Sequence, residues 1–270
     1  MILFHQQALV FYNSLLLGFQ ERGFASGLGV AFGYLGSAFA LLFLAKSLKE
    51  PEVYAVVGML FFLLFLPSLK FLENPSLKTK LSFKEVLKDK RFVLFILSLL
   101  CLTEVANTLI AMMGVYLREV FHFERETIYR VIGLSAFGGI VGGVFWGKVT
   151  DAFGVRRVFP FGFFLWSVFL ILLFFSSEDF IYPVGLLAGF SLAHLWTTSR
   201  VYITNEFAQE SVALRMSFLS LSERIASSVG LSFFSFMLFL TEGNYKLSAL
   251  SMIVFPLLGA VLYCRSLRSR

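Results

Sequence analysis

The chain has 270 residues, of which 58% are hydrophobic, 17% aromatic and only 15% charged, with 35 phenylalanines. With a mean hydropathy of +0.81, this composition lies far outside soluble globular usage; it excludes a large water-soluble domain and predicts an all-α, polytopic membrane helix bundle. The net charge of +6 comes from Lys and Arg lying between apolar runs, which argues against a nucleic-acid partner and serves as an orientation signal for a protein whose partner is the lipid bilayer.

From the N-terminus onward, apolar runs bounded by charge, Gly or Pro predict nine helices, at roughly 2–18, 24–45, 52–72, 91–117, 128–149, 157–176, 180–204, 214–240 and 246–264. Met1-Ile2-Leu3-Phe4 lacks the basic region of a secretory signal and runs straight into the first of them. Nine spans put the two ends on opposite sides. Loops at 19–23, 70–91, 148–157, 205–215 and 265–270 hold fifteen Lys and Arg, against six for 46–52, 118–130, 176–180 and 241–246. The positive-inside rule makes the richer set cytoplasmic and the C-terminus with it, in a cell (inner) membrane. Cys101 and Cys264 fall on different spans and predict no disulfide.

The longest connection, Lys70 to Arg91, is also the most basic. Lys78, Lys80, Lys84, Lys88 and Lys90 interleave with Leu81, Phe83, Val86 and Leu87. Two readings fit that spacing: a short amphipathic helix on the inner membrane surface, or a solvated linker. Either way the connection divides the chain into residues 1–72, a linker at 73–90, and residues 91–270, with three predicted helices before it and six after.

Between two of the later spans the chain reads Gly147-Lys148-Val149-Thr150-Asp151-Ala152-Phe153-Gly154-Val155-Arg156-Arg157. A tight turn between membrane helices needs the freedom of glycine, and its carboxylate can cap a helix start or pair with an arginine. Gly147, Asp151, Gly154, Arg156 and Arg157 match the spacing Gly-x-x-x-Asp-x-x-Gly-x-(Arg/Lys)-(Arg/Lys), and the turn resembles the short cytoplasmic loop motif of the major facilitator superfamily. The resemblance implies secondary transport of a small solute by alternating access, with a complete C-terminal six-helix half and only the last three helices of the N-terminal half. Phe11-Tyr12-Asn13-Ser14, the run Glu21 to Gly29, Gly33-Tyr34-Leu35-Gly36 and Trp196-Thr197-Thr198-Ser199-Arg200 look like the branch related to the fungal autophagy-linked vacuolar amino-acid effluxers. That likeness implies amino-acid efflux coupled to protons, and a partner in the form of a missing N-terminal helical segment. The competing readings are a non-transporting truncated fragment, an assembly partner of a split transporter, and an intramembrane enzyme.

Ionisable groups deep in a span are costly, which makes them functional candidates. Glu104 lies near the middle of its predicted helix, and Asn107 and Thr108 follow at i+3 and i+4, giving one polar stripe. In the family this is a cavity-lining helix, so Glu104 is a candidate to carry a proton or contact a substrate amine; the alternative is a satisfied hydrogen bond inside the bundle. His194 sits at mid-depth in the span 180–204, with Trp196 and Arg200 nearer its end. Arg200 offers a planar fork for a carboxylate or phosphate, or a snorkelling charge near the helix end. Glu223 and Arg224 are adjacent, roughly 14 Å into their helix, and point about 100° apart, so each needs its own partner. Arg200 for Glu223 and Glu104 for Arg224 is one assignment; the reverse is the other.

Gly29, Gly33 and Gly36, and Gly138, Gly139, Gly142, Gly143 and Gly147, make small-residue faces suited either to a rocking interface or to ordinary tight packing. His5, His122, His194 and the two cysteines show no metal-ligand spacing, and there is no phosphate loop or nucleophile elbow, so no metal, cofactor or enzymatic activity is expected.

Overall fold

The computed structural model describes residues 16–44, 50–71 and 82–269. Phe11-Tyr12-Asn13-Ser14, most of the helix at 2–18 and residues 72–81 of the linker, with Lys78, Lys80 and Leu81, lie outside the described residues. Among the described residues every regular element is helical: α1 (Arg22–Phe39, continued by a π-helical turn Ala40–Leu44), α2 (Glu50–Phe71), α3 (Phe83–Lys88), α4 (Lys90–Phe121), α5 (Arg125–Phe153), α6 (Val155–Val158), α7 (Phe161–Phe175), α8 (Ile181–Glu206), α9 (Val212–Leu240), α10 (Tyr245–Ser251) and α11 (Val254–Arg268).

Among the described residues, six segments are long and apolar enough to cross a bilayer: α1 with its π turn, α4, α5, α6–α7, α9 with the turn before it, and α10–α11. Two runs expected as single helices are interrupted, both at proline. Pro160 sits in the turn between α6 and α7, and Pro256 lacks the N–H that would bond back across the break between α10 and α11. The 26-residue α8 is long enough to span but carries the polar series Ser191, His194, Thr197, Thr198, Ser199 and Arg200.

Lipid tails are as apolar as leucine, so burial alone does not drive membrane helices together; close packing and hydrogen bonds do. Both act on α5, which lies between α1 and α8. A Cβ on Gly27 would collide with the Gly143 carbonyl oxygen, and one on Gly147 would lie 2.7 Å from the Gly23 carbonyl oxygen. On another side of α5, a Cβ at Gly138 would strike the Leu186 carbonyl of α8, and Gly142 packs on Phe190 and Ala193. The glycines of α5 thus form two faces. On α1 the packing glycines are Gly23 and Gly27; Gly33 and Gly36, expected on that face, have nothing within 4 Å of a built Cβ. The reason is angular, because Gly29 lies two residues, about 200°, around the helix from Gly27.

The apolar core joins α4, α7, α8 and α11 through Phe95, Leu99, Leu102, Phe159, Trp166, Leu170, Tyr202 and Tyr263. Phe95 stacks on Tyr202 at 4.0 Å. The side chains of α2 from Pro51 to Leu66 that are described are largely exposed, and the helix contacts the π turn after α1.

Candidate functional site

A cavity of about 340 Å³ opens between α1, α8 and α9. Gly29, Val30, Gly33, Tyr34 and Ser37 line it from α1, Trp196 and Arg200 from α8, and Ser220 and Glu223 from α9. Gly29 and Gly33 therefore leave backbone exposed to the cavity instead of packing against α5. Trp196 and Arg200, four residues apart on α8, share one face and meet Glu223 across the space. The Arg200 charge acts on both Glu223 and Tyr34. The cavity thus carries a cation, a carboxylate, a phenol and an indole in about the volume of a small-molecule site.

Glu104 is elsewhere. It is buried to 2% exposure between α4 and α9, with Oε2 against Gly230: a Cβ there would lie 2.6 Å from that oxygen and would also strike the Thr108 hydroxyl. Neither carboxylate oxygen nor Thr108 Oγ1 has a hydrogen-bond partner among the described residues, so the Glu104–Arg224 pairing is not formed. Arg224 is exposed. Asn107 connects the two regions, its Nδ2 donating to the Glu223 carbonyl oxygen at 3.0 Å.

His194 is fully buried and faces away from the cavity. Its Nε2 pairs with the Val158 carbonyl at 2.9 Å, its ring meets the edge of Trp146 at 4.7 Å, and it packs on Gly162. His194 and Arg200, six residues apart, lie on different faces of α8.

The loop motif forms the joint between α5 and α6. Gly154, which ends α5, has φ of 81°, a conformation that favours glycine. Asp151 reaches from the last turn of α5 to the start of α1: Gly23 N–H donates to Oδ1 and Phe24 N–H to Oδ2, both at 2.7 Å. A carboxylate on the first free amides of a helix satisfies its orphan donors and complements its dipole. Lys148 lies over the Phe24 ring at 5.7 Å.

The sequence profile of the Major Facilitator Superfamily matches residues 105–269. The chain belongs to this superfamily. An uncharacterized protein of Aquifex aeolicus (strain VF5) is 64% identical over 266 residues, covering 98% of this chain and 70% of that relative. Superfamily members are membrane transporters, and this facilitator is an integral, multi-pass membrane protein.

In this facilitator the residues past the motif's aspartate feed a charge cluster that sequence reasoning missed. Arg156 pairs with Glu206 at the end of α8, and Glu206 also takes Arg91 from the start of α4 at 2.5 Å. Tyr263 of α11 donates to the Arg156 carbonyl at 2.9 Å. Beside it, Arg215 donates to Asp89 at 2.7 Å and Ser211 at 2.9 Å, held between the rings of Phe92 and Phe207 at 4.4 and 4.3 Å. Arg157 stays exposed. Asp89 carried a local signal, since an aspartate three residues before Phe92 N–H caps α4. Glu206 and Arg215 read only as loop charges.

Proposed function

We propose that this facilitator moves a small solute by alternating access, holding it in the cavity between α1, α8 and α9. The observation that carries the reading is the convergence of Arg200, Glu223, Trp196 and Tyr34 on one space whose α1 wall includes the glycines Gly29 and Gly33. Intramembrane charge of both signs facing a cavity is the arrangement expected of a solute pathway. Opposite charges in one cavity suit a solute that carries both signs, in keeping with the resemblance to amino-acid effluxers. Glu104 is assigned to the coupling proton, because an ionised carboxylate buried without a partner is costly, and Asn107 links its helix to Glu223. The surplus of Lys and Arg at the motif end places that end, with the C-terminus, on the cytoplasmic side of the cell membrane. Residues 91–270 serve as one six-helix half and residues 22–71 as part of the other. A further N-terminal helical segment completes the wall around α1 and α2, a reading supported by the exposed side chains of α2.

The test is transport by the full-length protein in liposomes, with labelled amino acids, peptides, sugars and organic anions under an imposed pH gradient. Arg200→Gln and Glu223→Gln each reduce uptake about tenfold or more, the usual cost of truncating a partly buried charge that meets a ligand. Glu104→Gln removes the response to the pH gradient while leaving solute exchange at equal pH. Unchanged transport in both cavity variants refutes the site, and an unchanged pH response in Glu104→Gln refutes the coupling role.

A further inference from the structure

The short helix α3 has an outer face that the transport reading leaves unused. Advancing about 100° per residue, Phe83 and Leu87 fall side by side, Lys84 and Lys88 follow on the next strip, Glu85 comes after them, and Val86 lies on the side opposite the lysines, next to Phe83. The structure agrees with that wheel. Val86 is buried at 1% exposure against Phe92 and Phe218, whereas Phe83 and Leu87 are 52% and 50% exposed and Lys84, Lys88 and Lys90 are exposed.

Charge is sorted in the same way. Both acids of the segment are occupied by the protein: Glu85 accepts the Ser82 N–H at 2.7 Å in a capping box, and Asp89 accepts from Phe92 N–H at 3.1 Å and from Arg215 at 2.7 Å. Arg91 is taken by Glu206. Three lysines remain outward, next to two half-exposed apolar side chains, at the point where the α4 span begins at Lys90. Apolar side chains beside a lysine row at a bilayer boundary match the acyl–headgroup border of a membrane carrying negative charge.

The geometry points to α3 as a docking element for anionic phospholipid, with the lysines on headgroup phosphates and Phe83 and Leu87 among the upper acyl carbons. The dock is tied to the cavity. Phe83 stacks on Phe218 of α9 at 4.5 Å, and Asp89 holds Arg215 one turn before it, while Ser220 and Glu223 farther along α9 line the cavity. Lipid seated on α3 therefore steadies the first turns of α9.

Hydrogen exchange of the full chain in lipid nanodiscs tests this without knowledge of the solute. In discs containing phosphatidylglycerol, the amides of Phe83–Lys88 and of Val212–Phe218 exchange about tenfold more slowly than in pure phosphatidylcholine, given the strength of lysine–lipid attraction near a surface. Raised salt removes the difference. The triple variant Lys84→Gln, Lys88→Gln, Lys90→Gln loses it while keeping the phosphatidylcholine rates, and Arg265→Gln with Arg268→Gln, exposed on α11, keeps it. Equal exchange in both lipids for the wild-type chain overturns the proposal, as does a lipid effect that survives in the triple variant. Slowing confined to α3 overturns the tether to α9.

Discussion

Replacing Asp151 by Asn isolates what the loop carboxylate does. In the structure it receives two backbone N–H groups at 2.7 Å, from Gly23 and Phe24 at the first turn of α1. Hydrogen bonds to a charged acceptor contribute about 1.5–3 kcal/mol each in protected sites, and a charge at a helix N-terminus adds ~0.3–1 kcal/mol. Asp151 and its bond from Phe24 N–H are exposed, whereas the bond from the buried Gly23 is partly buried, which places the first at the low end of those ranges and the second within them. Asn keeps one carbonyl acceptor but loses the charge and the second oxygen. The net loss is about 1–3 kcal/mol, or roughly fivefold to over a hundredfold in a balanced two-state equilibrium. Asp151→Ala also removes the remaining acceptor and shifts the equilibrium further in the same direction.

The assay is labelling of a cysteine at Ser37, which lines the cavity, in a Cys264→Ser background, with membrane-impermeant reagents applied from either side. Asp151→Asn changes the ratio of the two labelling rates by about tenfold, and Asp151→Ala by more. If both variants label as the parent does, the carboxylate does not hold α1 in one state, and the motif is a topology signal only. An Asn variant that matches Asp while Ala alone shifts assigns the effect to hydrogen bonding and refutes the charge contribution.

Gly27→Ala places a Cβ on the Gly143 carbonyl and costs about 1–3 kcal/mol of overpacking, seen as a lower midpoint of thermal unfolding in detergent. Gly36→Ala, with nothing within 4 Å, is neutral or up to about 1 kcal/mol stabilising through helix propensity; equal loss in both variants contradicts the packing described for α1 and α5. Glu206→Gln leaves Arg91 and Arg156 without their carboxylate and lowers stability by about 2 kcal/mol, less than for a fully buried pair because Arg156 is 43% exposed. Arg215→Leu, which loses Asp89 and two ring faces, costs a similar ~2 kcal/mol, and a midpoint unchanged in both would show the cluster to be without energetic weight.

How much of this was legible in the chain follows the range of the interaction concerned. Helix positions depend on runs of neighbouring residues, so apolar length located the spans, and the two breaks at Pro160 and Pro256 are local effects of a missing N–H. The turn at Gly154 is local as well. Arg200 and Glu223 stood out because intramembrane charge is rare, whatever its partner. Their meeting place on α1 was not visible, since Tyr34, Gly29 and Gly33 join the site from a helix far away in the chain. Asp151 finds its partners 128 and 127 residues away, and Glu206 finds Arg91 across 115. The loop motif marked Asp151 as a helix cap or arginine partner without saying which helix it meets, whereas nothing at Glu206 distinguishes it from a solvated loop residue. The glycines show the same limit in another form: their spacing announces close approach, but five glycines spread around α1 cannot say which pair meets α5.

The kinds of bond that hold α1 explain why it, rather than the charge cluster, is the element to watch for motion. Most of the hydrogen bonds described between α1 and the rest have a backbone partner: Asp151 accepts from two amides of α1, Arg22 donates to the Thr204 carbonyl at 2.9 Å as well as to Asn205 Oδ1, and Ser26 donates to the Thr197 carbonyl at 3.2 Å. A backbone partner moves rigidly with its helix, so a slide of α1 by an ångström or two strains all of these bonds together. The cluster around Glu206 and Arg215 is made of long side chains that can follow small displacements by changing rotamer, and it ties α4, α8 and α9 into one unit. Between α1 and α5 lies a surface built largely of glycine, on which the Tyr34 ring of α1 rests at Gly139 and Ala31 at Gly143. Under the alternating-access reading proposed above, bonds that must break together disfavour intermediate positions of α1, as a bistable interface requires, and Asp151 sits at the end of that contact.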